Sequence, residues 1–153
     1  MSMIVDIADA LVTLLNGETF SQTFTAVRKH LPQYKLAQMD TLHVTVVPKT
    51  EVISAGGGTR ASQQFDYEID IAIQQRFGDD ASEESAEFVE LMDLREELID
   101  FLRGRDIGTT GTSPIGRWTA ITNEPIYAPE HMAQMRQFTS LLTVSYRMWR
   151  DEV

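Results

Sequence analysis

Phe65-Asp66-Tyr67-Glu68-Ile69-Asp70-Ile71-Ala72-Ile73-Gln74 alternates apolar and polar side chains without interruption. Successive side chains of a strand point to opposite faces, so Phe65, Tyr67, Ile69, Ile71 and Ile73 line one face of a strand and Asp66, Glu68, Asp70, Ala72 and Gln74 the other. The register is self-enforcing, because a slip of one residue would drive three carboxylates into the core and leave the isoleucines in water. One face is therefore buried, and the other is wet or meets a partner.

Chain-terminal to this strand, Ser82 can cap a helix whose first turns are crowded with acids, favourable near the positive end of the helix dipole. Phe88, Leu91, Met92, Leu94, Leu98, Ile99, Phe101 and Leu102 form its apolar stripe, and Arg103-Gly104-Arg105 ends it. In the other direction, residues 50–64 lose apolar periodicity around Gly56-Gly57-Gly58 and read as a flexible loop. Leu42 to Val47 reads as a strand stopped by Pro48, and Phe24 to Leu31 as an earlier strand closed by Pro32, the two expected to pair antiparallel across a connection at residues 33–41. Ile4, Ile7, Ala8, Leu11 and Leu15 recur at helical spacing over residues 3–16, with Asn16-Gly17 as the stop. Past the acidic helix, residues 106–116 read as a second flexible loop. Trp118 to Asn123 reads as a strand, Pro125 to Pro129 as a stiff turn, residues 130–137 as a short helix or extended lead-in, and Phe138 to Trp149 as a long final strand. The expected fold is α/β of the α+β type: a mostly antiparallel or mixed sheet packed with two main helices, in one domain spanning residues 1–153.

The chain has 153 residues, enough for one core, and a net charge of -10. Between Asp79 and Asp106 lie eleven acids against three arginines, which accounts for eight of those charges. Such a field repels nucleic-acid phosphates, so no sequence-specific nucleic-acid binding is expected. There is no cysteine, which removes disulfides, thiolate nucleophiles and Cys-ligated metals and agrees with a reducing compartment. Asp6 and Asp9 interrupt what could be a signal-peptide core, and no run of about 18 apolar residues exists, so neither secretion nor a membrane span is expected.

Residues capable of chemistry do not form a set. His30, His43 and His131 lack the spacing of paired metal ligands on one helix face. Asp66, Glu68 and Asp70 share a strand face and could hold a divalent cation or do acid–base work, but only with ligands from another element. Gly56-Gly57-Gly58-Thr59-Arg60 lacks the pattern of a phosphate-binding loop, and no serine sits in a nucleophile elbow. No catalytic residue, metal ligand or cofactor is expected. The final strand instead presents Arg147 and Trp149, residue types favoured as interface anchors, opposite an apolar face.

Several phrases carry a resemblance: Phe20-Ser21-Gln22-Thr23-Phe24-Thr25-Ala26-Val27-Arg28, Leu42-His43-Val44-Thr45-Val46-Val47-Pro48, Asn123-Glu124-Pro125-Ile126-Tyr127-Ala128-Pro129-Glu130-His131 and Gln137-Phe138-Thr139-Ser140. They resemble small tail-region proteins of long-tailed bacteriophages and prophages, and the order of elements resembles the tail-terminator, or tail-completion, proteins of such phages. The resemblance implies a structural minor tail protein rather than an enzyme. It implies a homo-oligomeric ring, typically a hexamer, that terminates the tail tube and presents a surface to the head connector. The expected partners are then further copies of the chain, the tail tube protein and the head–tail connector protein. The expected location is the virion tail or neck, after assembly in the host cytoplasm. Under that reading the glycine loop at residues 55–61 becomes ordered on assembly and the acidic helix faces the lumen, while Arg60, Arg117, Trp118, Tyr127, Arg147 and Trp149 are the candidate interface. A head–tail connector or tube-like subunit is the alternative within the same class. A metal-dependent hydrolase using Asp66, Glu68 or Asp70 is the alternative outside it.

Overall fold

In the computed structural model, which describes residues 3–30, 41–55, 62–77, 86–110, 113–130 and 137–151, the alternating segment is the middle of strand β3 (Ser62–Arg76). It lies between β2 (His43–Ala55) and β6 (Gln137–Asp151), antiparallel to both. β6 follows it from Ser62↔Asp151 to Arg76↔Gln137. Three further strands, β1 (Ala26–Arg28), β4 (Ile107–Thr110) and β5 (Ser113–Asn123), complete a six-stranded sheet in the order β1-β2-β3-β6-β5-β4. The helices are α1 (Met3–Asn16) and α2 (Ala86–Leu102). The fold is thus mixed α+β, as expected, with one parallel pair in an otherwise antiparallel sheet.

The inner face follows the alternation. Ile69, Ile71 and Ile73 of β3, Val44 and Val46 of β2 and Phe138, Leu142, Val144 and Tyr146 of β6 are buried, and they join Ile7, Leu11 and Leu15 of α1 and Leu91, Leu94 and Leu98 of α2 in one cluster. α1 touches β1 and β2 at one edge of the sheet and β4 at the other, so the sheet curls around it. Polar clamps fix these contacts. Asn16 Oδ1 accepts from the Ala26 N–H at 2.7 Å while its Nδ2 donates to the Ala26 carbonyl at 3.0 Å, and Arg28 Nε meets Asp9 at 2.6 Å. Across the sheet, Arg95 of α2 donates to Asn123 Oδ1 at 3.0 Å, and Asn123 donates in turn to the Leu141 carbonyl at 2.8 Å. Phe20 joins the α1–β1 connection to α2, stacking on Phe24 and standing edge-on to Phe101.

Two glycines are demanded by geometry. Gly104 closes α2 at φ 72°, the left-handed position that a helix C-terminus favours. At Gly116 a side chain would meet Tyr146 Cβ at 3.1 Å and Ile107 Cγ2 at 3.2 Å, because β5 there passes tightly over β6 while paired with β4.

Several expectations need correction. β1 and β2 pair in parallel, Ala26↔Val44 to Arg28↔Val46; the connection at residues 29–42 is long enough for a crossover instead of a hairpin. Pro48 does not end β2. It pairs with Ile69, and the next residues open a bulge, Lys49 and Thr50 both facing Glu68, so the missing N–H falls where the ladder needs no donor. Residues 50–55 and 62–64, read as flexible loop, are paired strand, as are residues 107–110 and 113–116 in the second region read that way. Residues 31–40, the glycine stretch 56–61, the capping region 78–85 and residues 131–136 lie outside the described residues.

Core packing yields a contrast in stability. Ile71 is fully buried at the centre of the sheet, so Ile71→Ala is expected to cost about 2–5 kcal/mol in denaturant unfolding. Tyr146 is equally buried, but its hydroxyl has no hydrogen-bond partner among the described residues, and burial, with Asp106 adding to it, pushes the phenol well above its usual range. Tyr146→Phe should therefore be neutral or slightly stabilising in the same measurement.

Candidate assembly surface

The outer face of the sheet carries the polar half of the alternation, and its charges are matched in rows set by the strand register. Val52, Asp66, Arg147 and Arg117 form one such row across β2, β3, β6 and β5. In it Arg147 Nε donates to Asp66 Oδ1 at 2.7 Å, and Gln64 donates to the other carboxylate oxygen at 3.0 Å. Further along, Lys49, displaced by the bulge, reaches Glu68 at 4.0 Å and Asp70 at 3.9 Å, and the Thr143 hydroxyl donates to Asp70 at 2.7 Å. The three carboxylates thus spread along a strand, Asp66 held by Arg147 and Gln64 and Asp70 by Thr143, with Lys49 shared between Glu68 and Asp70. A divalent cation needs several oxygens converging on one point, and among the described residues no three His, Asp or Glu side chains do so.

Beyond Arg147 the sheet narrows to three strands, residues 50–55, 62–66 and 148–151, which form an arm. Here residues 51–55 of β2 are all exposed. Val52 and Trp149 stand on the outer face at 50% and 48% exposure, and Ile53 on the inner face at 56%. These apolar side chains stand in solvent on both faces of the ribbon, Val52 and Trp149 on one and Ile53 on the other. Val52 and Ile53 are absent from the expected interface because the glycines at 56–58 give residues 50–64 the composition of a loop. The signal present was Glu51-Val52-Ile53-Ser54, β-branched and free of Gly and Pro.

Of the residues expected at an interface, Arg117, Arg147 and Trp149 come together on the outer face next to and along the arm. Trp118 turns the other way: it pairs with Tyr146 on the inner face, packs against the core, and its buried Nε1 has no hydrogen-bond partner among the described residues. Tyr127 is half-buried, edge-on to Phe88 at 5.2 Å. Arg60 lies outside the described residues. His43 is half-buried with Thr41 3.5 Å away, His30 is exposed, and His131 lies outside the described residues.

The acidic ridge of α2 is solvent-facing at Glu87, Glu90, Asp93, Glu96 and Asp100. Glu97 is the exception, accepting from both the backbone N–H (3.2 Å) and the hydroxyl of Ser21. A shallow depression open to solvent lies between Leu15 and Phe24, lined by the α1–β1 connection, with Glu18 the one titratable side chain among its described lining residues. No described helix is long and apolar enough to cross a membrane. No family model matches the chain, and no curated protein is significantly similar to it.

The Asp66–Arg147 pair has a definite pH signature. Desolvation alone would raise the Asp66 pKa, but the hydrogen bonds from Arg147 and Gln64 and the guanidinium charge outweigh it and hold the carboxyl below its ordinary value. A depressed folded-state pKa contributes stability above the unfolded value of about 3.9 and loses it as pH falls through the folded one. Both side chains are partly exposed, so the contribution is about 0.5–1 kcal/mol. Asp66→Asn is expected to be less stable than the parent chain by that amount at pH 7 and equal to it near pH 2, in urea unfolding at both pH values.

Proposed function

We propose that this chain is a structural subunit of a phage-type tail, closing into a ring that terminates the tail tube and offers a surface for head joining. The observation that carries the reading is the three-stranded arm with Val52, Ile53 and Trp149 in solvent, since exposed apolar strand surface beside a matched polar face suits contact with other subunits. Ring formation follows if copies meet through two different patches, because a heterologous contact repeated by rotation either closes or grows into a filament. The resemblance of the phrases Phe20 to Arg28, Leu42 to Pro48, Asn123 to His131 and Gln137 to Ser140 to small tail-region phage proteins, and of the element order to tail-completion proteins, supports the same assignment. The carboxylate row supports a scaffold over a hydrolase, because Arg147 binds Asp66, Thr143 binds Asp70 and Lys49 lies between Glu68 and Asp70, so the acids do not converge on one point. Under this reading the acidic ridge of α2 faces the lumen, where like charge keeps passing DNA from adhering.

The test is assembly of the full chain. Sedimentation and negative-stain imaging are expected to reveal closed rings, and the rings are expected to stop elongation when added to a polymerising phage tail tube subunit. Extended tubes built by this chain alone would favour the tube-subunit alternative, and a monomer at all concentrations that leaves tube growth unaffected would overturn the proposal.

A further inference from the structure

The arm has two open edges, and we infer that copies of this chain join by pairing the β2 edge of one with the β6 edge of the next. The inference rests on the reading of the chain as a self-assembling subunit and specifies the contact. β1 covers β2 only at Val44, Thr45 and Val46, so from Val47 to Ala55 the far side of β2 has no strand beside it among the described residues. β5 accompanies β6 only as far as Arg117↔Arg147, and its earlier residues pair with β4 instead. Past Arg147 the far side of β6 is likewise uncovered among the described residues.

Backbone phase shows that both edges present hydrogen-bonding groups. The Val46 carbonyl accepts from the Lys29 N–H, so Val46 turns its peptide groups away from β3. Alternation through the bulge at Lys49 and Thr50 brings Glu51, Ile53 and Ala55 to the same orientation. On β6, the Leu141 N–H donates to the Pro125 carbonyl and its own carbonyl accepts from the Glu124 N–H, both on the β5 side. Unbroken alternation then turns Trp149 and Asp151 toward that side too, where the strand lies open.

Uncovered edges are templates for pairing, and soluble proteins guard them with lysine, proline or a covering loop. Here Pro48, Lys49 and the bulge guard only the start of the open β2 edge, and from residue 51 to 55 it reads Glu-Val-Ile-Ser-Ala, with one charge and no proline. β2 and β6 run in the same direction, since both are antiparallel to β3. A copy rotated about an axis along the arm therefore brings its β6 edge alongside its neighbour's β2 edge in parallel, with Val52 of one and Trp149 of the other on the same outer face. Each chain uses one edge of each kind, the head-to-tail arrangement that closes by rotation. Pairing of like edges would stop at a dimer and leave the other edge exposed.

The absence of cysteine makes the contact directly testable. Ser54→Cys and Trp149→Cys, which lie in one row of the sheet through Gln64 and so stand level when a copy is rotated about the arm, are prepared as separate single variants of the full chain, mixed and mildly oxidised. A disulfide requires Cα atoms within about 4.4–6.8 Å, and the separate variants exclude any link within one copy. The expected product joins one chain of each kind and exceeds either self-linked product several-fold. A second variant, Ile53→Pro, removes a donor from the open edge while leaving the β2–β3 ladder intact, and should raise the concentration needed for assembly about tenfold with its thermal melting retained. Predominant like-to-like links, or no links at concentrations where the parent chain is assembled, would overturn the edge pairing and leave the ring reading in place. Unlike links formed by a protein that fails to stop tube growth would overturn the terminator reading and leave the pairing in place. If Ile53→Pro proves unfolded, the cross-link pattern decides alone, and normal assembly of a folded Ile53→Pro would count against the inference.

Discussion

Strand β3 has to satisfy two solvents at once, and the rest of the molecule is arranged around that requirement. Its odd-numbered side chains from Phe65 to Ile73 are buried, while Asp66, Glu68 and Asp70 stand on the opposite face of the same backbone. Both edges of the strand are paired, β2 on one side and β6 on the other, so its peptide groups are satisfied within the sheet. A strand in that position cannot slip, because any shift exchanges isoleucines for carboxylates in the core.

The two faces then follow different physics. Inside, burial of Ile, Leu, Val and aromatic side chains supplies the main stabilisation, and α1 and α2 cover that face while α1 draws both edges of the sheet toward itself. A few directed polar contacts set where the elements sit: the two-sided clamp of Asn16 on Ala26, the Asp9–Arg28 pair and the Arg95–Asn123–Leu141 chain. Outside, Arg147 and Lys49 offset part of the charge on the row of acids.

Where the helices and flanking strands lie against the sheet, its inner face is covered; past Arg147, where only β2, β3 and β6 continue, the arm begins. That division places exposed Val52, Ile53 and Trp149 on a strand-paired extension of the core. Such an extension loses little conformational entropy when it is bound, an advantage for a subunit proposed to assemble with identical neighbours.

The primary structure by itself determined the elements whose periodicity is long and unambiguous: α1 over residues 3–16, the core of β3, the apolar stripe of α2 and the final strand with Arg147 on its polar side. These are local properties, read from spacing alone. Tertiary structure decided everything that depends on which strand lies beside which. The parallel β1–β2 pair, the passage of β2 through Pro48, the separate strand β4 and the inward turn of Trp118 all arise from pairing partners distant in the chain. So does the arm: Val52 and Ile53 form a surface only because β3 and β6 lie beside them, and residue order contains no record of an edge being open.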